Sequence, residues 1–159
     1  MKKTNDYRVV GDDVYLQASN ARVSGDVVFD LNNLDSILKY YWRLNHDGYA
    51  IHTSVRAGQI FMHHLILGRK KGLETDHINR NRTDNRKENL RYASRQQNVE
   101  NTGVRKDSYS KIKGVSYYKN INRWCAKIQI DGVRLFLGSR KSPKEAEELY
   151  KKAVLKYRI

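Results

Sequence analysis

The chain has 159 residues, 39% hydrophobic and 30% charged, with 31 Lys and Arg against 17 Asp and Glu for a formal net charge of +14. That length allows one or two small domains with a modest core. The single cysteine, Cys125, excludes an intramolecular disulfide framework and a Cys-rich zinc knuckle, and no apolar run approaches the roughly 20 residues that span a bilayer.

The charge is unevenly placed. Residues 1–68 carry 7 basic and 7 acidic side chains, residues 69–113 carry 13 and 6, and residues 114–159 carry 11 and 4. A basic surface confined to the last two segments points to an anionic partner, nucleic acid before any other. A ribosomal-type RNA binder answers the same charge. The polar opening Met1-Lys2-Lys3-Thr4-Asn5-Asp6 starts no signal-peptide apolar region, so an intracellular protein is expected.

From Tyr7 to Gly68 the pattern predicts short strands and one helix. Val14–Gln17 and Gly25–Phe29 are β-branched and aromatic runs bounded by Ser, Asn, Gly and Asp. Leu34, Ile37, Leu38 and Tyr41 recur at helical spacing and predict an amphipathic helix over about 32–42. Gly48–His52 and Gln59–His63 read as strands joined through Ala57-Gly58. On a strand, His63 and His64 would face opposite sides, which favours a structural role for each. His46 and His52 read as ordinary loop and strand residues, and Trp42 and Tyr49 as core aromatics. The whole third is expected to be scaffold.

The central stretch LETDHINRNRTDNRKENLRYASRQQNVENTG runs from Leu73 to Gly103. Leu73–Ile78 is a strand candidate ending on the pair Asp76-His77. Asn79–Asn89 contains no apolar side chain and predicts a loop, and Leu90–Ala93 predicts a return strand. Ser94 with Gln97 three residues on forms a capping box for a helix that Gly103 stops, and this helix carries Asn98. The unit is β–loop–β–α. A histidine can take a proton from water near neutral pH, carboxylate and amide oxygens suit Mg²⁺, and arginines bind phosphates. Together these are the needs of phosphodiester hydrolysis.

The residues Asp76-His77-Ile78-Asn79, Asp84-Asn85-Arg86, Glu88-Asn89-Leu90-Arg91 and Gln97-Asn98 resemble the HNH (ββα-metal) endonucleases, particularly the phage and intron homing type. Met62-His63-His64-Leu65-Ile66 looks like the His-rich strand that leads into that motif. The resemblance implies His77 as general base, Asp76 and Asn98 as ligands of one Mg²⁺ or Mn²⁺ per active site, and Asn89 holding the loop and orienting the imidazole. It further implies Arg95 at a phosphate. The last motif position is Asn98 where other members have His.

After a polar linker at 104–111, three alternating segments follow: Ile112–Tyr118, Arg123–Ile130 and Val133–Gly138. They are separated by turns at Asn120-Ile121-Asn122 and Asp131-Gly132. Ser142, Pro143 and Glu145 mark a helix start, and Ala146, Leu149, Tyr150, Ala153, Val154 and Tyr157 make its apolar face. Cys125 and Trp124 read as core residues. Lys113-Gly114-Val115, Trp124 to Ile128, Leu137-Gly138 and Ala146 with Tyr150 to Ala153 resemble AP2-type DNA-binding domains. That resemblance implies a sheet face turned to DNA with Lys113, Ser116, Lys127, Gln129, Arg134 and Phe136 on it, Gln129 being suited to an adenine edge.

The expected protein is therefore α+β. An HNH domain covers 1–103, with scaffold 1–68 and the ββα-metal motif at 73–103, and an AP2-like domain covers 112–159. The expected activity is metal-dependent cleavage of double-stranded DNA by a monomer or a DNA-assembled dimer, without a membrane, in the cytoplasm of a bacterial or phage-infected cell. The alternatives are a non-catalytic DNA-binding regulator using the AP2-like domain and the RNA binder that charge alone would allow.

Overall fold

A computed structural model describes residues 4–55, 58–104, 108–130 and 132–157. The expectations at Met1–Lys3, at Ala57 of the first turn, at 105–107 of the linker and at Asp131 of the last turn lie outside the described residues. The chain divides into two compact units, Met1–Ser94 and Arg95–Ile159. No described helix is long and apolar enough to cross a membrane.

The first unit begins with a three-stranded antiparallel meander of β1 (Tyr7–Val10), β2 (Asp13–Ser19) and β3 (Ser24–Asp30), in that order. Period-two alternation puts Val14, Leu16 and Ala18 of β2 on the core side with Val27 and Phe29 of β3, all buried. A 3₁₀ turn over Leu31–Asn33 leads into α1 (Leu34–Ile37).

The helix expected over 32–42 is thus only one α-helical turn. Leu34, Ile37 and Leu38 do reach the core, as their spacing required. The chain then leaves helical geometry so that Trp42 can enter the core, its indole donating to Ile37 O at 2.8 Å and its backbone N–H to Asn5 Oδ1 at 2.7 Å. Tertiary burial of one large aromatic overrides the local helical pattern here.

A second antiparallel sheet contains β4 (Arg43–Leu44), β5 (Ala50–Ser54) and β6 (Gly58–Phe61), with β5 central. The strand expected to run through His63 stops at Phe61, and α2 (Met62–Leu67) starts at the next residue. The pairing runs from Ser54↔Gly58 to Ile51↔Phe61, and β5 has only Ala50 before Ile51. Met62 is buried and Ile66, one turn on, packs on the same core, so helical spacing buries what continued alternation would split. His63-His64 therefore stands on a helix, not on the expected strand.

The unit closes with an antiparallel hairpin of β7 (Glu74–His77) and β8 (Leu90–Ala93), in register Asp76↔Arg91 and His77↔Leu90. The intervening loop is irregular apart from a 3₁₀ turn over Lys87–Asn89.

The second unit contains α3 (Arg95–Asn101), a three-stranded antiparallel sheet and α4 (Pro143–Tyr157). The sheet is made of β9 (Val115–Tyr118), the central β10 (Arg123–Ile130) and β11 (Val133–Arg140). Val115, Ala126 and Ala146 form its buried centre, with Ile112, Trp124, Leu137 and Leu149 around them. Cys125 is buried. The N–H of Glu145 donates to Ser142 Oγ at 3.2 Å, the cap that the Ser-Pro start implied.

β9 begins three residues later than expected because Gly114 has φ +73°. A Cβ there would lie 2.2 Å from the Tyr150 ring and 2.7 Å from Lys127 O. Only glycine lets the chain pass beneath α4 at this point.

Candidate active site

The β7–β8 hairpin sets Asp76 and His77 at the end of a strand, both buried, with different partners. Asp76 takes Arg91 from the facing position of β8: Nε at 2.9 Å and Nη2 at 2.8 Å both donate to Oδ2. Strand pairing alone places opposite charges across from each other here, so this contact was readable once the hairpin was drawn.

His77 is held by Asn85. Its Nε2 lies 3.3 Å from Asn85 Oδ1, and Asn85 is 0% exposed. The Asn85 Nδ2 donates to Thr83 O at 3.3 Å, which fixes the amide with its oxygen toward the imidazole. An oxygen only accepts, so Nε2 carries the proton and the ring's lone pair sits on Nδ1. Burial pulls the His77 imidazole below its ordinary range. The Asn85 bond and the charges of Asp76 and Asp84 oppose that shift, while Arg82 adds to it. The ring is consequently neutral at pH 7, the state a general base requires.

Asn89 bonds within the loop through its side chain. Its Nδ2 donates to Asp84 O at 2.7 Å, its Oδ1 accepts from the Asn79 N–H at 2.9 Å, and its carbonyl accepts from the Ile78 N–H at 2.9 Å. Both ends of a buried carboxamide are used to close the loop on itself. Removing the Asn89 side chain would leave one donor and one acceptor unmatched, about 1–3 kcal/mol each.

The loop is also tied to the N-terminal meander. Val28 of β3 donates to Thr83 O at 2.8 Å and accepts from the Asn85 N–H at 2.7 Å, a short parallel bridge centred on Asp84. Asp30 Oδ2 accepts from the Lys87 N–H at 2.7 Å, and Asp13 Oδ2 lies 3.4 Å from Arg86 Nη1. Asp84 is buried under Arg86, whose Nε and Nη2 each donate at 2.9 Å, and it also accepts from Asn79 Nδ2 at 2.8 Å. These bonds hold the Asp84 carboxyl below its usual range, with Arg86 the largest cause.

An aromatic wall backs the imidazole. The His77 ring centroid is 5.2 Å from His63 and 5.8 Å from Tyr49, and Tyr49 and Phe61 lie 5.3 and 5.2 Å from His63. His63 is buried with no hydrogen-bond partner on Nδ1, and desolvation, helped by His64, His77 and Arg69, lowers its pKa to about 3. Both His63 and Asn85 stand out in the sequence, but their place beside the imidazole does not, for His63 because a strand assignment hides the face it shares.

The first unit thus brings Asp76, His77 and Asn89 into one hairpin. Arg95 and Asn98 lie on α3, in the second unit, Arg95 exposed and Asn98 half-buried. Among the described residues no group of three or more His, Cys, Asp and Glu is placed to hold a metal ion. The donors singled out for a metal are one carboxylate and one carboxamide oxygen. That set suits a hard ion which keeps water and phosphate oxygens as its other ligands, as Mg²⁺ does.

In the second unit, the cross-strand pairs Lys127↔Phe136, Gln129↔Arg134 and Cys125↔Ser116 alternate with the residues that pack under α4. Ser116, Lys127, Gln129, Arg134 and Phe136 therefore share the sheet face opposite that helix, and Phe136 is 60% exposed. Lys127 Nζ stands 4.7 Å over the Tyr118 ring. Lys113 departs from this set. It precedes the strand in a turn, and its ammonium donates to Glu100 O. Trp124 packs at the core edge as expected and also stacks on Tyr109 at 5.7 Å.

The hairpin thus holds a buried histidine, a buried carboxylate and a clamped basic loop close together. A family model described as HNH endonuclease matches residues 62–100, about a quarter of the chain, from α2 through the hairpin into α3. The match supports an HNH nuclease, a hydrolase class that acts on DNA and generally uses a divalent metal ion. No curated protein and no solved structure matches the chain.

Proposed function

We propose that this chain is a metal-dependent endonuclease of the homing and phage HNH type, hydrolysing phosphodiester bonds in double-stranded DNA. The observation that carries the reading is His77: neutral, buried, its Nε2 turned to Asn85, inside the stretch matched by the HNH model. In this reading the Nδ1 lone pair accepts the proton of the attacking water, and the Nε2–H···Oδ1 bond keeps the ring from rotating as charge develops on it. Asp76 and Asn98 would hold one Mg²⁺ or Mn²⁺. A divalent ion there supplies Lewis-acid stabilisation of charge on the phosphate and on the leaving oxygen. Arg95 would bind a phosphate close to the cut.

Residues 1–103 form the nuclease module in this proposal, 104–111 the linker and 112–159 an AP2-like module. The latter's open sheet face, with Ser116, Lys127, Gln129, Arg134 and Phe136, is laid on the duplex. Its three-stranded sheet backed by one helix, and its basic and amide side chains on the open face, support this use. Two linked DNA contacts raise the local concentration of duplex at the nuclease site. One site per chain nicks as a monomer, and two copies assembled on DNA break both strands. The setting proposed is the cytoplasm of a bacterial or phage-infected cell.

The test is conversion of supercoiled plasmid to nicked circles in Mg²⁺ or Mn²⁺, with the cut ends mapped, comparing wild type with His77→Ala. The expected result is nicking that EDTA abolishes and that His77→Ala lowers by about 10²-fold or more. Equal rates for the two proteins would refute His77 as base. Wild-type protein that binds duplex in EDTA yet never nicks would instead be a DNA-binding regulator.

A further inference from the structure

Arg82 lies outside every role assigned above, and the structure holds it unusually firmly for a loop arginine. Asn79 Oδ1 accepts from the Asn81 N–H at 2.8 Å, and Asn81 Oδ1 accepts from the Thr83 N–H at 3.2 Å and the Thr83 hydroxyl at 3.0 Å. The Thr83 carbonyl is in turn bound by Val28. The backbone on both sides of Arg82 is therefore fixed. The side chain is fixed too. Its guanidinium carbon stands 4.6 Å from the centre of the Tyr49 ring, and Nη1 donates to Asp47 O at 2.7 Å.

The surface that receives it is equally ordered. Asn45 Oδ1 accepts from the N–H groups of Asp47 and Tyr49 at 3.0 and 2.9 Å, and the Asn45 N–H donates to Tyr49 O at 2.9 Å. One tight turn thus presents both the Asp47 carbonyl and the Tyr49 ring. The same Tyr49 ring lies 5.8 Å from His77. The Arg82 charge is close enough to act on the His77 imidazole.

Almost half of the Arg82 side chain is exposed, and the Asp47 carboxylate is no nearer than 4.0 Å. A guanidinium has five N–H donors in a planar fork, and the Asp47 carbonyl takes one direction of it. A surface arginine loses up to about 2 kcal/mol of rotamer freedom when immobilised, and here that loss is incurred before any ligand arrives. A cation ordered in advance beside a general base, with donors left for a planar anion, is the arrangement of a phosphate clamp.

We propose that Arg82, braced on Tyr49 and Asp47, binds a non-bridging oxygen of the substrate backbone at the phosphodiester being cut or the one next to it. The proposal rests on the endonuclease reading and adds a substrate-binding residue to it. Arg82→Ala leaves the melting temperature near wild type, because the side chain is half exposed. It lowers single-turnover cleavage about 10²-fold, the scale seen when one donor to a transition-state oxyanion is lost. Arg82→Lys keeps the charge, loses the planar stack and recovers only part of the rate.

The deciding experiment uses duplex oligonucleotides built on the mapped plasmid cut, with single methylphosphonates scanned across the site. Wild type is expected to slow at least about tenfold at one position within a nucleotide of the cut, and Arg82→Ala to be insensitive at that same position. Arg82→Ala cutting at the wild-type rate, or sensing that methylphosphonate as strongly as wild type, overturns the assignment. Wild type that cuts no DNA at all would sink the endonuclease reading, and this assignment with it. The Arg82 outcomes are scored only against a wild type that cuts, which keeps the two failures apart.

Discussion

His63 makes the first unit acid-sensitive in a calculable way. Its pKa falls from 6.5 to about 3 because the ring is buried among Tyr49, Phe61, His64 and His77, with Nδ1 lacking a partner. The folded-state value lies below the unfolded one, so between those values the unfolded chain binds the proton that the native state refuses. The stabilisation is complete above pH 6.5 and is lost as pH falls toward 3. From pH 7 to pH 4.5 the loss comes to about 2–3 kcal/mol, taking about 1.4 kcal/mol per unit of pKa. Asp84 titrates below its ordinary value of 3.8 and scarcely enters that window. Urea unfolding followed by Trp42 fluorescence in a Trp124→Phe background reports the first unit alone, since Trp42 is in that unit's core. With a denaturant slope of about 1–3 kcal/mol/M, the midpoint should fall by roughly 1 M or more across the window. His63→Phe keeps the aromatic packing, removes the titration and flattens most of the slope. The remainder belongs to His64 and His77, whose values are lowered in the same direction. A His63→Phe protein with the parental pH dependence would refute the argument.

Asn85→Asp replaces the amide at His77 Nε2 with a carboxylate. The imidazolium gains a charged acceptor, and the acidic limb of the cleavage rate against pH should move up by about one unit or more, with duplex affinity in EDTA unchanged. An unmoved limb would mean that His77 is not the group being titrated. Gly114→Ala places a methyl on the Tyr150 ring and the Lys127 carbonyl at φ +73°, and should destabilise the second unit by about 3 kcal/mol or more. Differential unfolding read from Trp124 would show it, and a loss under about 1 kcal/mol would mean that α4 yields more easily than its packing implies.

What the sequence made legible was whatever is local and periodic. The β7–β8 hairpin, α3, the three strands of the second unit and α4 follow from alternation, turn residues and caps within a few positions of each other. β1 has no signature in the sequence, because all four of its residues are exposed and show no core side. The sequence pattern extends a strand through His63 because β-pattern and helix-pattern coincide over short apolar runs. Asn85, Asn89 and Asn98 are equivalent letters in a polar stretch. Only the closed loop shows that Asn85 faces the ring. The buttress was invisible for a simpler reason: Asp30 meets Lys87 across 57 positions, and Asp13 meets Arg86 across 73.

That buttress gives the charge asymmetry a physical meaning. Arg80, Arg82, Arg86 and Lys87 fall within eight residues, and such a run extends by self-repulsion unless counter-charges hold it. Asp84 and Asp13 bind the Arg86 side chain, and Asp30 binds the Lys87 backbone. Val28 adds two backbone bonds beside them. The meander carries Asp12, Asp13, Asp26 and Asp30 against only Arg8 and Arg22, and two of those acids, Asp13 and Asp30, are bound to the loop. Arg82 keeps its charge near the surface, while Arg86 is drawn inward. The Asn85 that faces His77 owes its position to Val28, on a strand that lies well before the residues matched by the HNH model. The stretch 62–100 therefore contains the reacting histidine but not the whole of what sets its geometry, and the unit able to present a correctly held His77 includes β2 and β3.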